Sequence, residues 1–202
     1  MFPSVKHYLD SLDTAAVPAA RKAVLQPLAD YIRSKSASGE VPRLTFICTH
    51  NSRRSHLAQF WAAAAAHACG FEPIACFSGG TEITSCNPRT IAALTRAGVR
   101  AQTITAGENP VILLSYADGI NPLVAFSKLY DQAPNPQTAF AAIMTCSDAE
   151  ENCPFIPGAD QRFSIAYEDP KVFDDTPEEA AGYDARCRQI ATEMLWVFQQ
   201  LS

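Results

Sequence analysis

The 202-residue sequence lacks any excess of basic charge: 16 Lys and Arg stand against 21 Asp and Glu, for a formal net charge of −5. A nucleic-acid binder carries a basic face, so that class is excluded. Long apolar runs are missing too. The longest candidate, Phe60 to Ala68, is mostly alanine and far short of the ~20 residues that cross a bilayer, so no membrane partner is expected. Met1 to Asp10 contain no apolar core of a secretory leader, and a cytoplasmic location is expected. No internal repeat recurs along the chain. Nor is there a disulfide framework: the seven cysteines, at 48, 69, 76, 86, 146, 153 and 187, are odd in number and scattered. In a reducing compartment such cysteines are core filler, metal ligands or catalysts.

What is present is globular: 48% hydrophobic and 18% charged residues, in a length that suits one domain with decorations. Such a chain buries roughly 70% of its unfolded surface, enough for a core without staples. Residues 1–40 read as an N-terminal helical extension, with a helix started by Pro18 and closed by the small polar stretch Ser34 to Gly39. An α/β domain over 41–202 follows. Leu44 to Ile47 predict a strand, Ser55 to His67 a helix, Ile74 to Ser78 a second strand, and Pro88 to Ala97 a helix stopped by Gly98. Val111 to Tyr116 and Leu123 to Phe126 flank Asp118-Gly119 and predict a β-hairpin inserted at about 109–130. Phe140 to Thr145 reads as a buried strand, Phe163 to Ile165 as a weaker one, and Pro177 to Leu201 as a closing helix with Thr176 as its cap. Strands alternating with helices predict a parallel α/β sheet with its site at the carboxyl ends of the strands.

The chemistry concentrates where the first strand ends. Cys48-Thr49-His50-Asn51-Ser52-Arg53-Arg54-Ser55 puts a cysteine six residues before an arginine on a strand-to-helix turn. Successive N–H groups of such a turn, a helix N-terminus and a bidentate guanidinium together hold a tetrahedral oxyanion. The same field favours a thiolate, the form of sulfur that attacks phosphorus or arsenic. Ser55 is placed to donate to that sulfur. The plain alternative is a buried strand-end cysteine beside surface arginines.

Phe46 to Gln59 resembles the anion loop of the low-molecular-weight protein tyrosine phosphatase superfamily, in particular its thioredoxin-coupled arsenate reductase branch. Ser78-Gly79-Gly80-Thr81-Glu82 with Asn87-Pro88 is similar to the superfamily's second motif, and Asp169-Pro170 to its general-acid motif. The resemblance covers roughly residues 43 to 200. It implies a four-stranded parallel sheet flanked by helices, with Cys48 as nucleophile, Arg54 and the loop residues Thr49, His50, Asn51, Ser52, Arg53 and Ser55 around the oxyanion, and Asp169 as acid.

Cys146-Ser147-Asp148-Ala149-Glu150-Glu151-Asn152-Cys153 separates the branches, because simple phosphatases lack this cysteine pair. Seven residues of helix span roughly 10.5 Å, whereas disulfide Cα separations stay below about 6.8 Å. If the segment is helical when reduced, bonding Cys146 to Cys153 unwinds it, which suits a redox relay. Half of a zinc site, or two unrelated thiols, are the other readings. Several positions depart from the family. His50 replaces a small glycine, Arg53 adds positive charge at the rim, and Lys171-Val172 replace the aromatic frame of phosphotyrosine sites. Gln59 replaces an acid used around potassium in some reductases, so neither metal nor cofactor is expected. The resemblance therefore implies arsenate reduction with a thioredoxin-like reductant. A phosphotyrosine or small phosphomonoester phosphatase, and an oxyanion-binding redox sensor without turnover, are the rivals. Cys69, Cys76, Cys86 and Cys187 read as inert core thiols.

Overall fold

The computed structural model describes residues 1–152 and 155–201, beginning with two helices, α1 (Pro3–Asp10) and α2 (Ala19–Ala37). Pro3 opens α1 where a missing N–H costs nothing. Asp13 caps the intervening 3-10 turn, accepting from Ala15 and Ala16. Val5, Leu9, Leu25, Leu28 and Ile32 from these helices enter the main core. Helix α2 persists to Ala37, through the stretch read as a linker, because Ser34 and Ser36 stay within its hydrogen-bond ladder.

Strand β1 (Arg43–Cys48) follows, then α3 (Arg54–Ala68), β2 (Ala75–Gly80) and α4 (Pro88–Arg96). Asn87 caps α4 through the Arg89 N–H. Next come β3 (Arg100–Thr103), β4 (Ile112–Ser115) and β5 (Leu123–Ala125), which form a separate antiparallel sheet. The expected hairpin is β4 with β5, pairing Ile112 with Ala125. Strand β3 extends it on the far side, and its four residues are all exposed, so no apolar alternation betrayed it.

The chain then returns through β6 (Phe140–Met144), the short α5 (Ser147–Asn152), β7 (Ala159–Ser164), a 3-10 turn at Pro170–Phe173, and α6 (Glu179–Gln199). Thr176 does not cap α6: its hydroxyl donates to Phe173 O, and Glu178 holds the cap position. The main sheet has the order β2-β1-β6-β7, parallel throughout. Its central strands are buried on both faces, as parallel strands covered by helices must be. Helices α2, α3 and α4 all pack on α6, and the buried Ala62 to Ala66 run brings α3 close against β1 and β2. No described helix is long and apolar enough to cross a membrane.

The period-2 alternation of the central strands divides the interior in two. Leu44, Phe46, Ala141 and Ile143 feed the main core, while Ile47, Ala142 and Met144 feed a smaller cluster that also holds Cys48 and Cys146. Two cysteines nearly a hundred residues apart therefore share one cluster at the carboxyl end of one sheet.

Candidate active site

The loop after β1 is braced from outside through its carbonyls. Thr49 O accepts the N–H groups of Thr81 and Glu82, both at 2.8 Å. His50 O accepts the hydroxyls of Ser127 (2.8 Å) and Thr84 (3.2 Å). Ser52 O accepts from Asn87 N at 3.0 Å. A trans peptide directs its N–H opposite to its carbonyl, so the following amides of His50, Asn51 and Arg53 face away from these braces, as in an anion-binding nest. Asn51 takes a left-handed φ of 45°, which Asn tolerates better than most residues. Its Nδ2 donates to Ser55 Oγ (2.9 Å) and its Oδ1 accepts from Lys128 N (3.1 Å). Ser55 Oγ lies 3.1 Å from Cys48 Sγ. Because that oxygen already accepts from Asn51, its own hydrogen is available to the sulfur. Gly80 completes the brace: a Cβ there would sit 2.7 Å from Thr49 O and 2.8 Å from Asn51 N.

Arg54 opens α3 and is 8% exposed. Its Nη1 donates to Tyr167 O at 3.0 Å and its Nη2 to Asp169 Oδ2 at 2.7 Å. Its Nε is buried without a hydrogen-bond partner among the described residues. The Nε and Nη2 edge is the side on which a guanidinium bridges two oxygens, and the unpartnered buried Nε lies on it. A cleft of about 440 Å³ opens there, lined by Arg54, Ser147, Asp148, Tyr167, Glu168 and Asp169. Asp169 heads the 3-10 turn, accepting from Lys171 N through Oδ1. Arg54, at the end of the loop, and Asp169 thus meet at the edge of this cleft.

Cys146 is fully buried, its Sγ 3.5 Å from Thr49 Oγ1 and accepting from Ala149 N at 3.4 Å. Thr145 N is tied to Ile47 O at 2.7 Å, so adjacent strands bring Cys48 and Cys146 into one buried cluster. The segment after Cys146 is helical through Asn152. Cys153 lies outside the described residues.

Two residues at the rim make outward contacts. The His50 ring reaches Glu82 Oε2 at 3.5 Å. Arg53 belongs to the loop by its backbone, but its guanidinium donates to Tyr183 Oη (2.7 Å) and Asp174 Oδ2 (3.1 Å). Its charge is thereby matched within the rim. Tyr167, Tyr183, Ser127 and Lys128 carried no signal in the sequence, since each contacts the site through a backbone group or through folding from a distant segment. The other thiols suit inert roles: burial pushes Cys76, Cys86 and Cys187 up to about 12, and raises Cys69.

Comparison with known proteins agrees with this geometry. The family described as low molecular weight phosphotyrosine protein phosphatase matches residues 43–122, from β1 past β4. Arsenate reductase 2 of Staphylococcus epidermidis is 30% identical over 125 residues, covering 62% of this chain and 76% of that relative. The chain belongs to the low-molecular-weight protein tyrosine phosphatase superfamily, on its arsenate reductase branch. Arsenate reductase 2 of Staphylococcus haemolyticus is 27% identical over the same length. Among solved structures, the low molecular weight protein tyrosine phosphatase from T. tengcongensis superposes with a TM-score of 0.54 at 16% identity, covering 79% of this chain and 99% of that one. A YwlE mutant from Bacillus subtilis gives 0.53 at 14% identity, covering 79% and 98%. These structures share the fold. Residues 1–42, with α1 and α2, precede the family match.

Proposed function

We propose that this enzyme reduces arsenate to arsenite through a relay of three cysteines. The Cys48 thiolate attacks arsenic, and Asp169 gives a proton to the oxygen that leaves as water. The Cys146 thiolate then attacks Cys48 sulfur. An S–S bond forms, the As–S bond breaks, and its electron pair stays on arsenic, which departs as arsenite. Cys153 attacks Cys146, freeing Cys48 and leaving a Cys146–Cys153 disulfide. A thioredoxin-like dithiol supplies the two electrons that reset it. Each exchange needs a thiolate close to the sulfur it attacks.

The observation that carries this reading is the placement of Cys146 in the same small cluster as Cys48, beside the hydroxyl of loop residue Thr49. Phosphomonoester hydrolysis does not call on a second thiol there. Hydrolysis of a small phosphomonoester is the second reading, favoured by the fact that Cys48, Arg54, Asp169 and water suffice for it. The free thiols of the described residues suit a reducing cytoplasm. The test is arsenate-dependent NADPH oxidation by the purified protein with thioredoxin and thioredoxin reductase. Hydrolysis of p-nitrophenyl phosphate without any arsenate-dependent oxidation would favour the phosphatase.

A further inference from the structure

We propose that Arg21, on helix α2 of the N-terminal extension, is a positioning residue for the oxyanion site, acting on Arg54 through Tyr167. The proposal rests on the reading of Arg54 as the oxyanion grip.

Tyr167 is the shared wall between two regions. On one side its backbone is part of the site: its carbonyl accepts from Arg54 Nη1 at 3.0 Å, and its N–H donates to Thr145 O, one residue before Cys146, at 3.0 Å. Two residues on, Asp169 receives the other end of the same guanidinium. On the other side, the buried Tyr167 ring carries the Arg21 guanidinium 4.8 Å from its centroid. Arg21 is held there by Glu193 of α6, through contacts of 2.9 Å from Nε and 2.8 Å from Nη2. Gln189 donates to the other Glu193 oxygen at 3.0 Å. Glu193 is 3% exposed, and a buried carboxylate in an apolar helix interface is retained at a cost unless it is paired.

This ion pair holds a ring, and the ring holds a peptide plane. A cation over an aromatic face is drawn to that face, and a close-packed interior transmits strain from a buried ring to its backbone. The Tyr167 carbonyl fixes Nη1, which leaves the Nε and Nη2 edge for the oxyanion. The extension thus acts on the site without touching it.

The test compares Arg21→Gln, Arg21→Lys and the double variant Arg21→Gln/Glu193→Gln, which leaves no unpaired buried charge. Two readouts are needed: protection of Cys48 from iodoacetamide by inorganic phosphate, and the arsenate KM and kcat. In both neutral variants the phosphate protection constant and KM should rise about fivefold with kcat within twofold, a size typical of coupling through packed contacts. Arg21→Lys should stay within twofold of wild type. If Arg21→Gln does not fold, the double variant carries the reading. Protection unchanged in the neutral variants that fold, or weakened as much by Lys as by Gln, overturns the proposal. Phosphate protection needs no turnover, so a wild type that reduces no arsenate would sink the reductase reading and leave this test intact.

Discussion

Arg54 Nη2 donates to Asp169 Oδ2 across 2.7 Å, so the group assigned to grip the oxyanion and the acid assigned to protonate it are paired before substrate arrives. An incoming oxyanion competes with Asp169 for that Nη2 while taking the open Nε. On the proposed mechanism, displacing the carboxylate from Arg54 would free it to face the departing oxygen. Binding and acid placement would then be one event.

Asp169→Asn separates them. Losing the acid should lower turnover by about 10² to 10⁴. Phosphate protection of Cys48 should be as strong as in wild type or stronger, because an amide competes less for Arg54 than a carboxylate does. Full turnover in Asp169→Asn would move the acid to another group, with Asp148 in the same cleft the next candidate.

The two relay cysteines should fail at different steps. Cys153→Ser should release one equivalent of arsenite and stop as a Cys48–Cys146 disulfide, visible by peptide mapping. Cys146→Ser should release none. Multiple turnovers in either variant would remove that thiol from the relay.

Asn51 combines a strained backbone with two side-chain bonds, and Asn51→Ala and Asn51→Gly take these apart. Both variants lose the anchor of Ser55, so kcat/KM should fall more than about tenfold, a loss typical of misplaced catalytic groups. Only alanine strains the φ of 45°. Urea melts should find Asn51→Ala less stable than Asn51→Gly by about 1 kcal/mol. Equal stabilities would mean that the turn relaxes when its side chain is gone.

His56 is buried on α3, its ring 3.2 Å from Ser78 Oγ, and burial, aided by the Lys128 charge, lowers its pKa from 6.5 to about 3. Above 6.5 the ring is neutral in both folded and unfolded chains and adds no pH dependence. As pH falls from 6.5 toward 3 the unfolded chain takes the proton first, so stability drops by up to about 1.4 kcal/mol per pH unit. The thermal midpoint should therefore fall between pH 6.5 and 4 more steeply in wild type than in His56→Gln. Parallel curves would show that the acid sensitivity lies in other groups.

Much of the site was legible because its chemistry is contiguous. Cys48 to Ser55 occupy one turn, and a strand before and a helix after it dictate where their amides face. Asp169-Pro170 and Cys146 were legible as motifs, although nothing local says that Asp169 reaches Arg54 or that Cys146 joins the cluster of Cys48. Strands β1, β2 and β6 of the main sheet were readable from short apolar runs, whereas the edge strand β7 is mostly polar and β3, exposed on all four residues, has no such pattern and exists because β4 offers it an edge.

The sequence alone determined the strand-loop-helix unit and the parallel α/β class, because each depends on backbone geometry over a few consecutive residues. Tertiary structure decided which distant groups complete them. The register of β6 beside β1 puts Cys146 next to the loop, and the path after β7 delivers the Tyr167 carbonyl and Asp169 to one guanidinium. Packing of α2 and α6 behind Tyr167 sets Arg21 against its ring. Those contacts join residues up to 146 positions apart, from Arg21 to Tyr167. Such pairs form only when burial of the whole core has offset the entropy of closing the chain between them, and no local pattern encodes that balance.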